Sequence, residues 1–204
     1  MTALVVLLAT RSEGKLRELR PLFAAAGIGV QDLRDAGVMV SADEDTVEAF
    51  ASFEANALAK ARYFHALTGR PTVADDSGLE VMALSGAPGV RSKRWSGRAD
   101  VDGQALDDAN NAKLMETLRG VGDTAARYVC AAAYCDGARE EVVRGETVGR
   151  IIREPRGAQG FGYDPYFLSA ELGATFGESS REAKERVSHR GRAFRALLER
   201  LQQS

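Results

Sequence analysis

The segment Val73-Ala74-Asp75-Asp76-Ser77-Gly78-Leu79 constrains this chain most. A short apolar strand, Thr72–Asp75, runs into a second carboxylate, a hydroxyl and a glycine. Side chains alternate faces along a strand, so Asp75 and Asp76 cannot both point into one core. Neighbouring carboxylates repel, and their burial requires a cation or donors to satisfy them. Oxygen-only ligands suit Mg²⁺, which makes Asp75 and Asp76 candidate metal ligands. The plainer alternative is a solvated turn in which Asp or Ser caps the next element and Gly78 takes positive φ.

A chain of 204 residues forms one large domain or two small lobes and buries a proper core. Its net charge of −2 gives no reason to expect a nucleic-acid partner. The longest apolar run, Ala3 to Ala9, is too short to span a bilayer and has no charged leader. The cysteines, Cys130 and Cys135, sit in a strand-like segment at a spacing that suits neither a disulfide nor zinc. A soluble protein of a reducing cytoplasm is expected, with no membrane partner.

Strands are expected at Leu4–Ala9 and Ile28–Leu33. Helices are expected from a cap at Thr10 or Ser12 to Gly27, over residues 53–67 and over Leu106–Leu118. Gly86 to Gly103 and Gly157–Gly162 read as loops. Ala125–Cys135 and Arg139–Arg150 read as a hairpin joined by Asp136-Gly137 in a type I′ turn. Ser179 and Glu182 form a capping box for a helix that pauses at Ser188 before a last helix to about Leu201. Alternating strands and helices with one antiparallel hairpin indicate an α/β fold with a mixed sheet.

Besides the carboxylate pair, three groups could carry chemistry. Ala9-Thr10-Arg11-Ser12-Glu13-Gly14-Lys15 joins a buried strand to a helix start, where free N–H groups, hydroxyls and Lys15 suit phosphate. Read alone, it is better explained as a capped helix with a solvated lysine. Asn56 and Lys60 share a helix face that could offer an amide and an ammonium to phosphate oxygens while Glu48 reaches a metal. A surface helix with scattered polar residues explains that group as well. In Phe161-Gly162-Tyr163-Asp164-Pro165, glycines allow close backbone approach, an exposed Phe161 could stack on a base, and Asp164 could accept; the alternative is a loop whose aromatics plug the core. Lys184, His189 and Arg190 add donors that suit a ligand displaying carbonyl oxygens, or merely complement a helix end. His65 reads as an ordinary helix residue.

Together these pieces are the parts of a Mg²⁺-nucleotide site. The chain resembles the non-canonical purine nucleoside triphosphate pyrophosphatases, the inosine triphosphatase-like family. The carriers are ATRSEGK at 9–15, FEANALAKA at 53–61, ADDSGLEVMALSGAPGVRSKRWSG at 74–97, REPRGAQGFGYDPYF at 153–167 and KERVSHRGRA at 184–193. The resemblance covers nearly the whole chain, 1–204, as a single domain. It implies hydrolysis of inosine and xanthosine triphosphates and their deoxy forms to monophosphate and pyrophosphate. It implies Asp76 as catalytic carboxylate and Mg²⁺ ligand, with Glu48 and Asp75 as further metal residues. Thr10, Arg11, Ser12, Glu13, Gly14, Lys15, Lys60 and Ser77 would cradle the triphosphate. Phe161, with Gly162 and Tyr163 in the same loop, would take the base, and Asp164, Lys184, His189 and Arg190 would line its pocket. The implied fold is an elongated mixed sheet flanked by helices, in two lobes with the active-site cleft between them, as a homodimer.

The chain departs from the family pattern in places. Arg11-Ser12 stands where Gly-Asn is common, which removes one amide donor. Ala55-Asn56-Ala57 stands for Glu-Asn-Ala, and Phe50 for a glycine. Two other readings remain open: a pyrophosphatase for other modified nucleotides, and a non-catalytic nucleotide sensor. Retention of Asp75, Asp76 and both lysines argues against the sensor.

Overall fold

A computed structural model describes residues 4–203 of the chain. Six strands form one mixed sheet in the order β2-β1-β3-β4-β5-β6. They are β1 (Val5–Leu8), β2 (Gly29–Asp32), β3 (Thr72–Val81), β4 (Ala125–Cys135), β5 (Glu140–Ile151) and β6 (Phe167–Ser169). The helices are α1 (Glu13–Ala25), α2 (Glu44–Val47), α3 (Phe53–Thr68), α4 (Gly103–Thr117), α5 (Arg181–Val187) and α6 (His189–Gln202). No described helix is long and apolar enough to cross a membrane.

The chain divides into two compact units. Unit 1 comprises residues up to Asp76, Cys130–Gly145 and Arg190 onward; unit 2 comprises Ser77–Val129 and Glu146–His189. The divisions therefore fall within β3, β4 and β5 and at the first residue of α6.

In unit 1, β1 pairs in parallel with β2 and β3. Its Val6 and Leu8 join Leu19 and Phe23 of α1 and Phe194 and Leu197 of α6 in one core. Phe23 and Phe194 meet edge to face with centroids 5.9 Å apart. Each ring is fully buried, a contribution of about 1.5–3 kcal/mol apiece. Ser12 caps α1 by accepting from the Lys15 amide, and Ser52 caps α3 by accepting from Ala55. The α3 residues Phe53, Ala57, Ala61 and Phe64 are buried as the spacing predicts, whereas Leu58 is only half-buried.

In unit 2, Leu79 and Val81 of β3 pack with Leu114 of α4, Tyr128 of β4, Phe167 of β6 and Phe176. β6, which pairs antiparallel with β5, was not foreseen: three residues are too few to show a period. Between Gly86 and Gly103 the chain is mostly irregular, with a 3₁₀ segment at Gly89–Arg94.

Three local expectations are corrected. β3 does not end at Asp75 but continues to Val81, and Gly78 is extended backbone in mid-strand, so the turn reading of Asp-Asp-Ser-Gly is excluded. The hairpin turn has positive φ at Gly137 only, with Asp136 N–H donating to the Arg139 carbonyl at 3.2 Å. A type I′ turn needs positive φ at both central residues, so it is excluded; instead the Asp136 carboxylate accepts from the Ala138 and Arg139 amides. Ser180, not Ser179, caps α5; its hydroxyl accepts from Ala183, while Ser179 donates to the Thr175 carbonyl. The pause at Ser188 is present as extended backbone between α5 and α6.

Candidate active site

Strand alternation organises the carboxylate cluster of unit 1. Asp75 and Asp76 are both buried, at 1% and 8% exposure, on opposite faces of β3, and each is met by different partners. Asp75 receives the cations. Lys15, in the first turn of α1, stands 3.0 Å from its Oδ2. Arg190, at the start of α6, donates Nε to that same oxygen at 3.3 Å and Nη1 to Glu18 of α1. The Cys130 thiol of β4 also reaches it, at 3.8 Å. The parallel pairing of β1 with β3 brings Lys15 there. Ala9 N–H donates to the Val73 carbonyl at 2.8 Å, so the turn from β1 into α1 runs beside Asp75.

Burial pushes the Asp75 carboxyl up, but Lys15, Arg190 and Lys60 outweigh it and hold it well below the usual carboxylate range. Burial, with Asp75 beside it, pushes the Cys130 thiol far up, which makes it an inert thiol.

Asp76 meets α3. Its Oδ2 accepts from Asn56 Nδ2 at 2.9 Å. Lys60, one turn further along α3, pairs with Glu48 and donates to the Asp75 carbonyl. The Asp76 carboxyl is raised: burial is the main cause, Lys15 opposes it, and the Glu48 charge adds to it. Glu48 itself is lowered, because Lys60 outweighs its burial. Two carboxylates of opposite tendency thus lie within electrostatic reach of each other and of two ammonium groups.

Hard oxygens of this kind suit a divalent cation. Among the described residues, however, no three His, Cys, Asp or Glu side chains are gathered as a metal cage. The Asp75 Oδ2 is engaged by Lys15, Arg190 and Cys130, on the opposite face of β3 from Asp76. Asp76 and Glu48 fit the group, since Mg²⁺ is commonly held by one or two carboxylates together with phosphate oxygens and water.

Other expected cradle residues divide. Ser12 and Thr10 shape the turn, with Ser12 N–H donating to Thr10 Oγ1 at 3.2 Å. Gly14 lies in the first turn of α1. Glu13 points away and pairs with Arg34 at 2.9 Å at the surface. Arg11 is not turned to this cluster: its guanidinium grips Glu44 with two hydrogen bonds and donates to the Val38 and Met39 carbonyls. Asn56 is not a surface residue either, at 1% exposure. Ser77 is half-buried on β3.

Unit 2 holds the second cluster. Gly160 has φ +79°, and a Cβ there would stand 2.0 Å from Asp164 Oδ2, so only glycine permits this loop. Asp164, 2% exposed, accepts from the Phe161 amide at 2.9 Å and from Lys184 Nζ at 2.6 Å. Tyr128 OH donates to its other oxygen at 3.4 Å. The Lys184 ammonium also lies 5.1 Å above the half-buried Phe161 ring and 5.4 Å above Phe176. His189 stacks on Tyr128 at 4.6 Å.

Tyr163 is a core residue, 5% exposed, whose hydroxyl donates to the Ser92 carbonyl at 2.8 Å. Arg190, in unit 1, meets Asp75 and Glu18 through its guanidinium. Gly162 is fixed by its backbone, which accepts from Asn111 and donates to Asp107. Sequence reasoning missed Asp107, Asn110 and Asn111 of α4. Their i, i+3, i+4 spacing was the available signal, a polar stripe on a helix face. Glu18, Tyr128 and Phe176 were also missed, and nothing local marks them.

A sequence profile of the Ham1 family matches residues 6–200. Curated relatives named dITP/XTP pyrophosphatase include one from Burkholderia pseudomallei, 46% identical, with 96% of this chain and 92% of that protein covered. Another, from Mycolicibacterium paratuberculosis, is 48% identical, with 97% and 95% covered. Among solved structures, a HAM1 protein from Coxiella burnetii superposes with TM-score 0.84 at 32% identity, over 98% of this chain and 100% of that one. The nucleoside-triphosphatase, or dITP/XTP pyrophosphatase, of Mycobacterium abscessus gives 0.73 at 42% identity, over 96% and 99%. With its profile match, its near full-length relatives and its mixed six-stranded sheet, this chain belongs to the Ham1 family.

Proposed function

We propose that the protein hydrolyses non-standard purine nucleoside triphosphates (inosine, deoxyinosine and xanthosine triphosphates) to the monophosphate and pyrophosphate. The observation that carries this is the unit 1 cluster: Asp76 and Glu48 beside Lys15 and Lys60, in a chain nearly half identical to dITP/XTP pyrophosphatases.

Phosphoryl chemistry of this kind rests on positioning and charge neutralisation. Lys15 and Lys60 would offset the charge that grows on the leaving pyrophosphate. The first-turn N–H groups of α1 would receive phosphate oxygens. Asp76, its proton affinity raised by burial, would accept the proton of the attacking water or orient it. A Mg²⁺ ion, held by Asp76 and Glu48, would supply Lewis-acid polarisation of the phosphate oxygens. Asp75 would act through Lys15 and Arg190, fixing where those cations stand.

The unit 2 cluster would take the base. Phe161 offers a ring face for stacking. Lys184 and His189 would donate to the purine 6-carbonyl, and an ammonium has no acceptor with which to meet adenine's 6-amino group. An unmatched buried donor costs about 1–3 kcal/mol, which rejects adenine. The setting implied is a cytoplasmic homodimer acting on free nucleotides.

The test is hydrolysis of inosine triphosphate in ¹⁸O-water with Mg²⁺, followed by mass spectrometry of both products. Label in the monophosphate and none in pyrophosphate supports attack at the α-phosphorus. Release of orthophosphate, or no turnover, rejects the reading.

A further inference from the structure

The amide of Asn56 makes a three-point clamp inside unit 1. Its Oδ1 accepts from the Phe50 amide at 2.8 Å. Its Nδ2 donates to the Phe50 carbonyl at 3.2 Å and to Asp76 Oδ2 at 2.9 Å. Both amide hydrogens and the amide oxygen are therefore engaged, in a side chain 1% exposed. The orientation is set by chemistry. The flipped amide would put an oxygen against the Asp76 carboxylate and an NH₂ against the Phe50 N–H. Phe50 lies two residues after Glu48, in the turn that leads from α2 to the Ser52 cap of α3. One side chain thus grips the backbone that carries Glu48 and the carboxylate of Asp76 together.

We infer that Asn56 is a positioning residue that sets Glu48 and Asp76 at a fixed separation for a divalent cation. The inference rests on the reading of those two carboxylates as metal ligands. Asn56 does not offer its amide to phosphate, because no amide hydrogen is left for it. It acts as outer partners of metal ligands do, orienting a carboxylate and restricting its alternatives. Lys60 completes the frame from the next turn of α3, pairing with Glu48 and reaching the Asp75 carbonyl. A single helix face therefore positions both carboxylates: Asn56 through a loop backbone and a carboxylate oxygen, Lys60 through charge.

The experiment compares the wild type with Asn56→Ala. Pyrophosphate release from inosine triphosphate is measured across a Mg²⁺ titration, and Mg²⁺ binding to each protein alone is measured by calorimetry. The expected result is a loss of about 10- to 100-fold in Mg²⁺ affinity in both measurements. At saturating Mg²⁺, kcat should recover and KM for the nucleotide should hold. A kcat depressed equally at every Mg²⁺ concentration, with unchanged Mg²⁺ affinity, marks a purely structural residue and overturns the inference. A wild type indifferent to divalent cations overturns it at its base, by removing the metal reading itself. Should the alanine variant not fold, amide exchange at Phe50 in the wild type decides. Mg²⁺ should slow it severalfold, and an unchanged rate overturns the inference.

Discussion

Adjacent carboxylates on opposite faces of β3 should respond oppositely to the same substitution. Asp75→Asn removes a buried charge that Lys15, itself partly exposed, and the buried Arg190 hold at 3.0 and 3.3 Å. Breaking a buried pair from one side costs about 3–5 kcal/mol, and the low end applies because asparagine keeps an acceptor and Arg190 keeps Glu18. For a chain of this size ~3 kcal/mol corresponds to a Tm lower by about 6–12 °C. Asp76→Asn instead removes a charge that burial and Glu48 disfavour. Its Tm should be unchanged or higher, while kcat falls by about 10²–10⁴. The pH dependence carries the same signs. Asp75 has a folded pKa below its unfolded value, so its contribution is present above about pH 4 and is lost as pH falls through the folded value. Asp76 has a raised folded pKa, so its ionised form costs stability as pH rises through that value. The assay is thermal unfolding of both variants in metal-free buffer, with a Mg²⁺ titration of activity alongside. Equal loss of Tm in both variants, or weakened Mg²⁺ dependence in Asp75→Asn, would refute the division of labour between the two residues.

Two other outcomes are expected. The double variant Lys184→Met/Asp164→Asn strands no buried charge, so it should fold; its preference for inosine over adenosine triphosphate should fall by about 10- to 100-fold, read as a ratio of kcat/KM. Arg11→Ala should cost at most about 1 kcal/mol in chemical denaturation and leave KM for the nucleotide unchanged, because the guanidinium serves Glu44 and not phosphate; a large rise in KM would return Arg11 to the phosphate cradle.

What the sequence made legible follows the reach of each signal. Periodicity located α1, α3 and α4, because burial imposes a repeat on neighbours in the chain, and Asp136-Gly137 located the β4–β5 hairpin. The run of β3 through Ser77 and Gly78 was not legible, since turn-forming residues outvote a strand unless both faces of that strand are covered. The turn at Asp136 and the Ser180 cap each hinge on side-chain hydrogen bonds that neighbouring residues could equally have made. Lys15 and Lys60, read alone, fit a capped helix and a surface helix; only the order of the motifs and the family resemblance singled them out together with Asp76 and Asp164. Partners could not be read. Arg190 follows His189 directly, yet its guanidinium joins Asp75, more than a hundred positions away, and Asn56 serves a backbone six residues before it. Such pairings are made by tertiary folding, and only the assembled sheet and helices reveal them.

Pyrophosphate release with Mg²⁺ across inosine, xanthosine, adenosine, guanosine and thymidine triphosphates tests the proposed activity and its base selectivity together. Strong release is expected from inosine and xanthosine triphosphates and little from the other three. Equal release from adenosine triphosphate, or none from inosine triphosphate, would contradict it.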